Sequence, residues 1–159
     1  MRKFLMAVAI IFLVTAINIA SVSAAQSARW AKEENPDKFP IEVLRLVNEE
    51  RAKVGVAPLK FAKDLSASAY VRARELPIKF SHTRPDGSKC FTAMPQIGHV
   101  IGENLAGGQS SPKQVVKAWM DSKTHRDNIL SKNFREIGIV YYYQSNSKFK
   151  HYWVQHFRG

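Results

Sequence analysis

Cysteine is almost missing from this 159-residue chain: Cys90 stands alone. A single thiol excludes any intramolecular disulfide, so the fold must be held together by burial. Nine Phe, five Tyr and three Trp provide the apolar area for that. No local signature makes Cys90 a nucleophile, and its expected roles are a buried thiol or a link between two copies of an otherwise monomeric chain. Acidic residues are also scarce, 13 against 24 Lys and Arg, for a formal charge of +11. The basic residues are scattered rather than massed, which suits contact with anionic cell-surface polymers or headgroups. No nucleic-acid module is present, so nucleic acid is not an expected partner. Internal repeats, low-complexity tracts, an HExxH helix and a G-x-S-x-G elbow are all missing as well.

The one long apolar run lies at the start. Arg2 and Lys3 precede Phe4 to Val14, and small residues follow at Val22 to Ala25. That order is the secretory signal pattern, expected over residues 1–25, and it implies a secreted protein. A membrane span would need about 20 mainly apolar residues, and Asn18 interrupts this stretch. Residues 26–39 read as a leader, and residues 40–159 form one domain's worth of chain.

Within that domain Pro40 suits the first turn of a helix. Ile41, Leu44 and Val47 recur at helical spacing, widened by Val43 and Leu46, while Glu49, Glu50, Arg51 and Lys53 make the wet side up to Gly55. Asp64 is placed to cap a second helix lined by Leu65, Ala69, Ala73 and Leu76 and closed by Pro77. Pro85-Asp86-Gly87 suits a turn after His82, and Ile101 to Ala106 reads as a short strand. Ser111 to Gln114 is a capping box that starts a helix with Trp119 inward. Thr124 is placed to cap a short helix carrying His125, Arg126 and Asn128 outward. Glu136 to Gln144 and Lys150 to Phe157 make a closing hairpin around Ser145 to Ser147, with Tyr142 on its open face. Helices interleaved with a small antiparallel sheet give an α+β domain.

Six stretches in order, LVNEERAKVGVAPL, FSHTRPDGS, IGENLA, WMDSKTHRDNIL, FREIGI and YWVQHF, resemble the CAP superfamily, specifically its disulfide-free bacterial branch. The resemblance spans roughly Ile41 to Phe157. It implies an α-β-α sandwich and a cleft with two histidines and two acids, which in some members binds zinc or another divalent cation. Matching motif to motif, His82 stands for the first histidine, Glu103 for the first acid and His125 for the second histidine. The second acid is absent: Ser122 takes its position, and the adjacent Asp121 is the nearest substitute. Asn104, Arg126 and Asn128 are expected to support the cleft.

Neutral imidazoles suit zinc, but a catalytic zinc normally has three protein ligands, and His82 with His125 supplies two. Three functions stay open. The first is an extracellular binding module for a lipid, glycan or protein. The second is a metal-dependent hydrolase, with His82 and His125 as ligands and Glu103 as base. The third is a basic surface-interaction factor of virulence type, in which the polar cluster only ties loops together.

Overall fold

The computed structural model describes residues 36–94 and 100–159. The expected signal segment, and the leader as far as residue 35, lie outside these residues. Four helices are described, α1 (Phe39–Lys53), α2 (Lys63–Glu75), α3 (Pro112–Asp121) and α4 (Lys123–Leu130). Four strands accompany them, β1 (Lys60–Phe61), β2 (Ile101–Gly107), β3 (Glu136–Tyr143) and β4 (His151–Arg158). Short 3-10 turns sit at Pro36–Lys38 and Cys90–Ala93. No helix among the described residues is long and apolar enough to cross a membrane.

The strands form one sheet in the order β1-β3-β4-β2. The closing hairpin runs from Glu136↔Arg158 to Tyr143↔His151, and β2 pairs antiparallel with β4 from Ile101↔Arg158 to Gly107↔Tyr152. The sheet is mixed rather than wholly antiparallel, because the two-residue strand β1 lies parallel to β3 at the far edge. So short a strand leaves no period for a sequence pattern to reveal.

Helices cover both faces, as the expected sandwich requires. On one face Ala69, Ala73 and Leu76 of α2 pack on Leu105, Tyr152 and Val154. On the other, Phe39, Val43 and Val47 of α1, Val115, Val116 and Trp119 of α3, and Ile129 of α4 pack on Ile137, Ile139, Trp153 and Phe157. Alternation along β4 serves both cores, since successive side chains point to opposite faces. Tyr142 is therefore not open: its ring meets Tyr70 of α2 edge-on at 6.3 Å, and Tyr143 is the exposed tyrosine of the hairpin.

Several local expectations shift. Pro40 is the second residue of α1, behind Phe39, whose ring stacks on Trp153 at 5.6 Å. Ile41 stands 68% exposed, whereas Arg51, assigned to the wet side, is fully buried. The inward stripe of α1 is Phe39, Val43, Val47 and Arg51, a strict four-residue repeat. Neither Asp64 nor Thr124 is a cap; the caps are Ala62 and Ser122, and Asp64 is engaged by Arg158 at 2.6 Å. Ser111 does cap α3, accepting from the Gln114 amide at 3.4 Å.

Candidate functional site

The site grows from one cross-strand row. Register sets Glu103 of β2 opposite His156 of β4, and His156 opposite Gly138 of β3. These residues face α2, which lies so close that a Cβ on Gly138 would collide with the backbone of Leu65 and Ser66. The close approach brings Ser68 and Arg72, both buried on the inner face of α2, onto the row.

Glu103 accepts from every direction. Arg72 Nε donates to its Oε2 at 2.9 Å, His156 Nε2 to the same oxygen at 3.1 Å, and His82 Nδ1 to Oε1 at 2.8 Å. Burial alone would raise the carboxyl's pKa; the donors from His156, His82 and Arg72, with the charge of Arg72, overcome it and hold Glu103 well below the usual carboxylate range. A carboxylate so placed is a fixed anion and a poor proton acceptor. Arg72 is shared further: it donates to Glu75 at 2.5 Å and to the Ser81 carbonyl at 2.5 Å, and Arg84 closes on Glu75 at 2.6 Å. Those last bonds anchor the loop that carries His82.

With Nδ1 of His82 spent on Glu103, Nε2 is the ring atom left for a ligand, and the His82 side chain is 59% exposed while that of Glu103 is 1% exposed. His125 of α4 is half-buried, and burial together with the charge of His82 pushes its pKa down, so its ring is neutral at pH 7. The other face of β2 holds α4 in place. Asn104 donates to the His125 carbonyl at 3.1 Å and to Gln155 Oε1 at 3.1 Å, and Asn128 donates to Asn104 at 2.9 Å. Asn104 and Asn128 thus support the cleft from behind. Arg126 is occupied with the Met120 carbonyl at 2.9 Å.

The remaining candidates are not drawn in. Asp121, 63% exposed, pairs with Lys117 one turn back at 2.6 Å. The hydroxyl of Ser122 meets that of Thr124 at 3.4 Å. Cys90 is buried beside Glu103; desolvation and the neighbouring carboxylate push its thiol up to about 12, the opposite of an activated nucleophile. Among the described residues, the group with ligand atoms within 4.8 Å of one another is His82, Cys90 and Glu103, without His125. The chemistry of that set does not fit a resident zinc. The carboxylate is covered by three donors including a buried guanidinium, and two histidines alone fall short of the three or four ligands zinc takes.

Three residues of the row, Ser68, Arg72 and His156, went unseen in the sequence. Ser68 Oγ lies 2.7 Å from His156 Nδ1, so serine, histidine and glutamate are linked in the order of a hydrolytic relay. Burial denies it that role: all three are shielded, and Ser68 Oγ also lies 2.8 Å from the Leu65 carbonyl. His156 thus holds Glu103 through Nε2 and Ser68 through Nδ1, and the relay is a hydrogen-bonded strut. The sequence signal was YWVQHF itself, where His156 alternates with Gln155 opposite Glu103 and Asn104.

Residues 44–157 match the CAP family model, the cysteine-rich secretory protein family. The uncharacterized protein YkwD of Bacillus subtilis (strain 168) is 42% identical over 123 residues, which is 74% of this chain and 46% of that protein. The chain therefore spans less than half the length of this curated relative. Among solved structures, an outer surface protein from Borrelia burgdorferi superposes with a TM-score of 0.68 at 20% identity, covering 77% of this chain and 93% of that one. An extracellular protein containing a SCP domain from Bacillus anthracis superposes with a TM-score of 0.66 at 21% identity, covering 79% and 44%. At those identities the structural likeness speaks to the fold.

Proposed function

This chain belongs to the CAP, or cysteine-rich secretory protein, family, and from that premise we propose that it is an exported binding module. Its cleft, rimmed by His82 and His125, holds a lipid, glycan or protein ligand. The observation that carries this reading is the saturation of Glu103. With Arg72, His156 and His82 all donating to it, the one buried acid of the cleft is structural, and it presents a fixed, outward-facing His82 ring to whatever docks there. Export is supported by the signal-like start and by the outer-surface and extracellular proteins that share the fold.

The hydrolase alternative asks Glu103 to take a proton while His82 and His125 hold a metal. A carboxylate that would have to release a buried guanidinium to do so is a costly base. The two readings separate cleanly by experiment. The purified chain is titrated with a fatty acid, a sterol, cell-wall glycan fragments and a peptide library while the histidine ring signals are followed by NMR. Saturable shifts of the His82 and His125 rings, with no turnover of ligand, are expected. Ligand hydrolysis lost in Glu103→Gln while the variant stays folded would overturn the binding reading in favour of the hydrolase.

A further inference from the structure

Arg51 poses a separate question on the opposite side of the sheet from Glu103. It is 0% exposed, yet among the described residues no carboxylate pairs with it. Its donors go to the carbonyls of Ala57 at 2.7 Å, Ile129 at 2.7 Å, Ser131 at 2.9 Å and Phe134 at 3.4 Å. Arg45, Arg72, Arg84 and Arg158 each rest on an acid instead. The carbonyls at the C-terminal end of α4 satisfy the hydrogen bonds of Arg51 and part of its charge.

Beside it opens a concavity of about 300 Å³ lined by Arg51, Gly55, Val56, Ala57, Lys132 and Arg135. The lining therefore holds three cations and no acid. Lys132 and Arg135 are exposed. Arg135 spends Nη1 on the carbonyls of Lys132 and Phe134. Among the described residues, Lys132 Nζ and the Nε and Nη2 of Arg135 make no hydrogen bond to the protein. The acid nearest in sequence, Glu136, is turned to Arg158 at 2.7 Å. Burial and the like charge of Arg135 both push the pKa of Arg51 down, and the two guanidinium groups line the same concavity.

We propose that this concavity is an anion site that binds a phosphate group, with Arg135 as the fork, Lys132 as the point charge and buried Arg51 as the fixed positive floor. A guanidinium offers two parallel N–H donors to phosphate oxygens, and an ammonium adds charge without demanding a geometry. The volume is at the lower end of small-ligand sites, enough for a phosphate with a short alcohol attached. The site is independent of the histidine cleft and of the reading given to it.

The test is calorimetry on the full chain with inorganic phosphate, glycerol phosphate and phosphatidylglycerol vesicles. The wild type is compared with Lys132→Ala/Arg135→Ala and with a charge-matched control, Lys117→Ala/Lys148→Ala, whose lysines are exposed elsewhere. Saturable phosphate binding that falls about tenfold or more in the first variant and less than twofold in the control is expected, with unchanged melting temperatures for both apo variants. Preference for glycerol phosphate over vesicles would assign a soluble phosphate monoester, and the reverse a lipid headgroup. No saturable phosphate binding, or equal weakening in both variants, would overturn the proposal.

Discussion

Glu103 is where the molecule's stability and its binding face meet. Replacing it by Gln keeps the shape but leaves Arg72 in the interior without its innermost counter-charge. Breaking a buried pair from one side typically costs about 3–5 kcal/mol, because the surviving ion stays desolvated. Glu103→Gln is accordingly expected to lower the chemical-denaturation free energy by roughly that amount, and His82→Ala by about 1 kcal/mol or less, since one end of that hydrogen bond is wet. The folded pKa of Glu103 lies below its ordinary value of 4.5, so the unfolded chain binds the proton more tightly. Its contribution is fully present above about pH 5 and is lost as pH falls through the acid range. His125 has the same sign from its ordinary value of 6.5: below that pH the unfolded state takes a proton that the buried ring resists. Melting temperature should be flat near neutrality, decline gently below about pH 6.5 and drop steeply below about pH 4.5. His125→Asn should remove the gentle phase alone. His82, Glu103 and His125 were readable because the resemblance assigns cleft roles to their motif positions. Ser68, Arg72 and His156 were not, because an Arg in a helix and a His in a strand read as ordinary surface until register and helix docking are known. Arg51 failed differently: its four-residue spacing from Val47 continues the inward stripe, but an arginine there reads as solvated until its carbonyl partners are known.

At the scale of elements, α2 seated on β3 makes the site. Gly138 permits it: the helix backbone occupies the space a side chain would need. Gly138→Ala is expected to force α2 off the sheet, costing about 1–3 kcal/mol as overpacking does. It should also loosen the Arg72–Glu103 pair that the docking creates, which hydrogen exchange at the amides of Arg72 and Glu103 would register as lost protection. An equal change in denaturation midpoint with protection intact would show that the glycine matters only for packing. The helices and the closing hairpin were legible from period, Pro, Gly and β-branched clustering, and so was the capping box at Ser111. The two-residue parallel strand β1 and the turn at Cys90 were not, because neither is long enough to carry a pattern, and β1 exists only through β3, distant in sequence.

For the whole molecule, two helical layers on a four-stranded sheet hold without a disulfide. Trp119 and Trp153 are buried in one core and Tyr152 and Val154 in the other. Such a scaffold keeps the faces of β2 distinct, with Glu103 bound to α2 and Asn104 bound to α4, so that His82 and His125 reach the same edge from opposite layers. On the proposed function this edge is a recognition surface over a fixed ion network, and its two imidazoles do not complete a metal site. A zinc titration by calorimetry near pH 7.5, on the wild type beside His82→Ala/His125→Ala, tests it most directly. Two imidazoles without a third ligand predict binding weaker than about micromolar, nearly matched by the double variant. One-to-one binding in the nanomolar range, abolished in the double variant and weakened near pH 5.5, would contradict the account and make the cleft a metal centre.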